Sequence, residues 1–212
     1  MRVSSLLGIV FLGCIFTTPS VYSAYLIDIN SGGSPTASGF VGLDGSNGSS
    51  VTDQGVTFTV YGSEGTRDRG TANDLTRDFA FNDSTEQVGL EITGLAAGLY
   101  QASVYSFEGS GAEINVEFIG YETNSGTFSI NPGITPAQAT DPARVFTFTY
   151  DPSTEGDLRI FTQGIVGFQC VGCPRARFNA LELTAIPVPA ALPLFGTGLA
   201  GLGLIGWRRR NK

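Results

Sequence analysis

Four aspartates, Asp68, Asp74, Asp78 and Asp83, fall in one stretch that also holds Arg67, Arg69 and Arg77. Two carboxylates at the right separation hydrolyse glycosidic bonds, as acid and base or as acid and nucleophile, which makes this stretch the candidate for a catalytic site. The ordinary alternative is a solvated loop whose charges pair locally with the arginines at little gain in stability. The same oxygens suit a hard cation such as calcium, although no EF-hand spacing is present. The chain has no histidine, which removes Ser-His-Asp and Cys-His catalysis and argues against zinc chemistry.

Cys170-Val-Gly-Cys173-Pro174 is the sharpest local motif. In an exported protein the pair most simply closes a short disulfide loop. Free thiols, or a redox or metal role, are the other readings. A thioredoxin-type site needs the pair at a helix N-terminus in a βαβ setting, and one such pair supplies only two zinc ligands. For a sugar ligand the useful groups are aromatic faces and polar forks at loop ends. Tyr61, Arg67, Asp68, Arg69, Tyr105, Phe107 and Tyr121 are of that kind, with Arg67, Asp68, Arg69 and Tyr105 foremost, while most aromatics on alternating strands belong to the core.

The elements that must position these residues read as strands. Val56/Phe58/Val60, Val88/Leu90/Ile92, Ile114/Val116/Phe118 and Phe146/Phe148/Tyr150 each alternate with small or polar residues, the pattern of a strand with one buried and one wet face. Turn-rich segments such as Asp44 to Ser50, Gly94 to Gly98, Gly109 to Gly111 and Asn131 to Gly133 separate them. Many short strands with no sustained 3.6-residue period predict an all-β, antiparallel sandwich or barrel. Residues 24–185 are enough for one domain with a sizeable core.

The two ends read as targeting segments. Residues 1–23 have the form of a signal peptide: Arg2, an apolar run from Leu6 to Phe16, and a small-residue cleavage site at Val21-Tyr22-Ser23. Cys14 lacks the small aliphatic residue three positions earlier that a lipoprotein cysteine would have. From Ile186 to Trp207 there is no charge, and a helix from about Ala190 to Trp207 would be roughly 27 Å long, close to the ~30 Å hydrocarbon core. Trp207 and the cationic stop Arg208, Arg209 and Arg210 would fix its cytoplasmic end. With Arg2, Arg208, Arg209, Arg210 and Lys212 in these segments, seven basic residues face all nineteen acidic ones in the rest, a net charge of −12. A domain this acidic repels nucleic acid and attracts cations.

The tail, with a short proline motif, a Gly/Leu-rich span and a terminal arginine cluster, resembles the PEP-CTERM class of bacterial sorting signals. The motif Pro187, Val188, Pro189 and Ala190 after Ile186 is similar to its VPLPA variant, since no glutamate is present. The resemblance implies recognition by an exosortase-type membrane protease, at least transient membrane anchoring, and export to the surface or matrix of a Gram-negative bacterium that makes extracellular polysaccharide. A second, looser resemblance spans Leu26 to Gly33, Arg69 to Phe79, Gly94 to Tyr105 and Phe178 to Thr184, which resemble galactose-binding-like jelly-roll modules. It implies a jelly-roll-like sandwich whose closing strand pairs beside the first, with Gly98-Leu-Tyr100 opening a central strand. It also raises the expectation of carbohydrate binding. Such modules sometimes hold a structural calcium ion near that edge, where Asp28 or Asn30 would meet Glu182; otherwise no cofactor is expected. The sequence thus predicts an exported, non-enzymatic β-sandwich with polysaccharide as its candidate ligand, and with a carboxylate-based polysaccharide enzyme or a purely structural matrix protein as alternatives.

Overall fold

Val56-Thr-Phe-Thr-Val-Tyr61 buries every second residue, and so does the run Phe146, Phe148, Tyr150, while Val145 beside it is 54% exposed. This period of two is what a pleated strand imposes, and it repeats through the described residues, which are mostly β-strand. The computed structural model describes residues 24–70, 73–84, 86–107, 117–130, 143–164 and 176–187.

The strands β1 (Ala24–Asn30), β2 (Val41–Asp44), β8 (Gly98–Tyr105), β11 (Ala143–Tyr150) and β14 (Ala180–Ile186) form a five-stranded sheet in the order β11-β8-β14-β1-β2. A six-stranded sheet follows the order β10-β9-β12-β7-β4-β3. Its members are β3 (Ser50–Asp53), β4 (Val56–Tyr61), β7 (Gln87–Thr93), β9 (Glu117–Thr123), β10 (Gly126–Ile130) and β12 (Leu158–Gly164). A small third sheet, β13-β6-β5, joins β5 (Gly65–Asp68), β6 (Asp78–Asn82) and β13 (Ala176–Phe178). All pairs are antiparallel except β1 with β2. Single helical turns lie at Asp74–Arg77 (α1) and Pro152–Glu155 (α2), each capped by the preceding Asn73 or Asp151 side chain.

The two large sheets face one another. Ile27, Ile29, Ala102, Val104, Leu181 and Leu183 of the first share one core with Phe58, Leu90, Ile92, Ile119, Leu158 and Ile160 of the second. Aromatic pairs cross the gap, Tyr121 on Phe148 at 4.7 Å and Tyr25 on Phe58 at 5.6 Å. The architecture is therefore an all-β sandwich with antiparallel sheets.

The closing strand does pair beside the first, Ala24 opposite Thr184 through Asp28 opposite Ala180, and Gly98 does open an interior strand. One phase is corrected. On β9 the fully buried position is Ile119, and Phe118 lies on the other face, only partly buried. The reason is that this outer face also buries an aromatic: Phe161 of β12 is 0% exposed there, so alternation of apolar residues does not separate the two faces. The cross-strand neighbours of Phe161 on either side are glycines, Gly89 and Gly120. A Cβ on Gly89 would strike the Ile160 carbonyl, and one on Gly120 the Phe128 carbonyl.

Candidate functional site

The aspartate stretch folds into the third sheet, and its members part company. Arg77 clamps Asp68 with two hydrogen bonds, Nε at 2.9 Å and Nη2 at 2.8 Å, which lower the Asp68 pKa and raise that of Arg77. Asp83 meets Arg67 at 3.9 Å and the buried Arg177 at 3.5 Å. Arg67 lies over the Phe81 ring at 4.7 Å and Arg69 over Phe79 at 5.7 Å, so both arginines cover the aromatic ladder of β6. Asp78 is not a solvated loop charge: it is 1% exposed.

β6 lies against β1, and the Asp78 charge acts on Asp28, also 1% exposed, on the face of β1 opposite Ile27 and Ile29. After β1 the chain reverses through Gly32 and Gly33, both at positive φ, and folds back over that face. Ala37 N–H donates to Asp28 Oδ2 at 2.7 Å, and the Asn30 amide donates to Thr36 Oγ1 at 2.7 Å. Burial is the main cause that pushes Asp28 up to about 6, opposed by the Ala37 N–H and aided by the Asp78 charge. Burial also raises Asp78. The Ser34 hydroxyl lies near enough to Asp78 to favour its charged form, yet it donates to Ser31 O at 2.8 Å, and neither Asp78 oxygen receives a hydrogen bond.

Asn179, wholly buried, joins these layers with all four of its polar groups. Its Nδ2 donates to Asp78 O at 2.7 Å, its Oδ1 accepts from Phe107 N at 2.7 Å, its N–H donates to Tyr105 O at 2.9 Å, and its carbonyl accepts from Ile29 N at 2.8 Å. Glu182 pairs across from Leu26, and its carboxylate accepts the Tyr105 hydroxyl at 2.9 Å. Among the described residues no group of three or more Asp, Glu, His or Cys side chains is placed around one point to hold a metal.

At the opposite end of the sandwich two hollows flank the β9–β10 turn. One, of about 210 Å³, is lined by Tyr121, Thr123, Thr127, Phe128 and Glu155. Phe128 is 45% exposed and packs on Tyr121 at 5.4 Å, so an aromatic surface opens beside hydroxyls and a carboxylate. The other, of about 100 Å³, is lined by Glu122, Asn124, Asp157 and Arg159. Arg159 donates twice to Glu91 Oε2, at 3.0 and 2.8 Å, and lies over the Tyr61 ring at 5.0 Å. Burial pushes the Tyr61 hydroxyl pKa up, and it stays a hydrogen-bond donor to Gln87 Oε1. The α2 turn fixes the geometry, because Asn124 N–H donates to the Glu155 carbonyl at 2.8 Å.

Of the foremost sugar candidates, Arg67, Asp68 and Arg69 share the β5 edge and Tyr105 sits on the outer face of β8; each is engaged by a neighbour within the protein. Tyr121 lines the larger hollow, whereas Phe128, Glu155, Asp157 and Arg159 were not singled out in the sequence. Their only signal there is a pair of Asn/Asp/Ser/Gly turns, Asn124-Ser-Gly126 and Asp151 to Asp157. Cys170, Cys173, Val188, Pro189, Ala190, Trp207, Arg208, Arg209 and Arg210 lie outside the described residues, as do residues 1–23; Pro187 is described and exposed. Among the described residues no helix is long and apolar enough to cross a membrane.

No protein-family model and no curated protein matches the chain. Solved structures do. The ANXUR2 extracellular domain from Arabidopsis thaliana is 11% identical at a TM-score of 0.49, with 78% of this chain and 49% of that chain covered. The structure of plant peptide RALF23 in complex with FER and LLG2 gives 10%, 0.46, 82% and 52%. A xylan-binding module, CBM15, gives 11%, 0.26, 77% and 97%. The chain spans about half the length of the two plant chains. At these identities and scores the likenesses fix neither ligand nor activity.

Proposed function

We propose that this is an exported, non-enzymatic β-sandwich that binds a neutral polysaccharide at the β9–β10 turn. The observation that supports this is the half-exposed Phe128, backed by Tyr121, between hollows lined with hydroxyl, carboxylate, amide and guanidinium groups. A sugar ring offers a C–H face to an aromatic surface and a rim of hydroxyls to such forks. Three carboxylates, Glu122, Glu155 and Asp157, stand against one arginine already paired with Glu91, so uronic-acid polymers would be repelled and neutral glycans admitted. The sealed positions of Asp28 and Asp78 support the non-enzymatic reading, because a catalytic carboxyl must reach its substrate.

The remaining parts of the proposal rest on sequence: a signal peptide over residues 1–23, a PEP-CTERM-type tail over 186–212 read by an exosortase-type protease, a Cys170–Cys173 disulfide, a jelly-roll module of galactose-binding-like kind, and a final place at the cell surface or in the extracellular matrix. The deciding experiment is affinity electrophoresis or calorimetry of the protein against neutral and acidic polysaccharides. Saturable binding to a neutral glycan, lost in Phe128→Ala, is expected. Binding that survives this change would move the site elsewhere, and no binding to any glycan would leave a structural matrix component.

A further inference from the structure

We infer that β10 is a pairing edge for a second copy of this chain, joined antiparallel through Thr127 and Ser129 about a two-fold axis at Phe128. Among the described residues the strands that end the three sheets are β11, β2, β10, β3, β13 and β5. An edge strand is a template for another chain, and proteins guard such edges with charged side chains, proline or bulges. Five of the six carry a charge: Arg144 on β11, Asp44 on β2, Asp53 on β3, Arg177 on β13, and Arg67 with Asp68 on β5. β10, Gly-Thr-Phe-Ser-Ile, has neither charge nor proline, and its first four residues are exposed.

The hairpin decides which groups of β10 face outward. Thr123 and Gly126 close its two-residue turn as a hydrogen-bonded pair, and alternation along the ladder makes Tyr121 and Phe128 another. The main-chain groups of Phe128 are therefore spent on β9, while those of Thr127 and Ser129 point away from it. A second copy laid antiparallel about Phe128 sets Thr127 opposite the partner's Ser129, and Ser129 opposite the partner's Thr127. Both become hydrogen-bonded pairs, and each also brings two hydroxyls together across the strands. Between them the two Phe128 residues form the closer, non-hydrogen-bonded kind of pair, so each helps to cover a ring that is 45% exposed in the single copy. Electrostatics select the same edge. With a net charge of −12 on residues 24–185, two copies repel wherever their carboxylates meet, yet no charged residue occurs from Thr123 to Thr140. The pairing needs no glycan. Where the polysaccharide reading also holds, the ligand meets a row of four rings, Tyr121 and Phe128 of each copy.

The test is sedimentation equilibrium of the protein without glycan, joined to hydrogen exchange over the same concentrations. One short edge strand gives an interface at the small end of specific contacts, so a reversible dimer between about 10 μM and 1 mM is expected. Over that range the amides of Thr127 and Ser129 should exchange roughly fivefold more slowly or better, while that of Phe128, bonded to β9, should not respond to concentration. Ser129→Pro removes an outward donor and no bond of the β9 ladder, so it should weaken the dimer roughly tenfold or more with its melting temperature near wild type. Ser129→Glu keeps that N–H and sets like charges across the seam, and should weaken the dimer too. A protein that stays monomeric at about 1 mM, or a dimer indifferent to both substitutions, would overturn the pairing. Glycan binding by such a monomer would leave the polysaccharide reading standing, so the two can fail separately.

Discussion

The Asn179 side chain donates to the main-chain carbonyl of Asp78 at 2.7 Å, across 101 positions of sequence. Because its Oδ1, N–H and carbonyl are used as well, this one residue fixes the distance between β6, the end of β8 and the end of β1. Truncation would leave the buried Asp78 carbonyl and Phe107 N–H without partners, while the main-chain bonds to Tyr105 and Ile29 remain. Asn179→Ala is expected to cost about 2–4 kcal/mol in urea unfolding. A loss below about 0.5 kcal/mol would show that water replaces the side chain without penalty.

The acid pair gives a pH dependence whose sign is unusual for carboxylates. Asp28 is raised from 3.8 to about 6 in the folded, metal-free chain, so its contribution is fully present below about pH 4 and is lost as pH rises to about 6. The size is about 3 kcal/mol. Asp78 acts in the same direction. Asp44, Asp68 and Asp151 are lowered by hydrogen bonds and act oppositely, losing their contribution as pH falls through and below the ordinary carboxylate range. The melting midpoint should therefore fall between pH 4 and pH 6. A midpoint that climbs across this range would contradict the burial of the pair.

Gly120→Ala probes the close approach of β9 and β10. The added carbon would stand against the Phe128 carbonyl of the neighbouring strand, where no flexible side chain can yield. We expect a loss of about 2 kcal/mol or more, with β10 detached first. Hydrogen exchange on β10 amides is the readout, and protection equal to wild type would refute the close approach.

For the polysaccharide site, Phe128→Ala and Asp157→Asn should each weaken glycan binding roughly tenfold or more while changing stability little, since both side chains are on the surface. Arg67→Ala, at the third sheet, should leave binding unchanged. The reverse ranking would place the ligand on the β5 edge.

Processing tests the sorting proposal. Replacing Arg208, Arg209 and Arg210 by neutral residues should cause the precursor to accumulate on immunoblots of the producing cell. Normal maturation of that variant would dissociate the arginines from sorting.

Much of the sandwich was legible because its strands bury one face and wet the other. Val56/Phe58/Val60 and Phe146/Phe148/Tyr150 are strands in the predicted phase, and the Phe178 to Thr184 segment does run beside β1. Legibility failed at Phe118, because the outer face of the sheet also carries aromatics, Phe118 and the buried Phe161, among its polar residues. It failed again at Asp78, since a charged residue between Arg77 and Phe79 reads as surface until β6 is known to lie against β1. Asp28 and Asp78, fifty positions apart, come to influence one another only through the packing of β6 on β1, for which no local pattern exists. The hollows at the β9–β10 turn arise the same way, from two polar turns that meet only because β9 and β12 are neighbours.

The place of β14 has a mechanical consequence. It is hydrogen-bonded along its length to β1 on one side and β8 on the other, and the chain leaves it at Pro187 beside the point where β1 begins. A pull transmitted through the following segment would act along the axis of an interior strand. Both ladders would then be loaded in shear at once, their bonds lying across the force and yielding together, so the module would resist extraction far better than one hung from an edge strand that can unzip bond by bond.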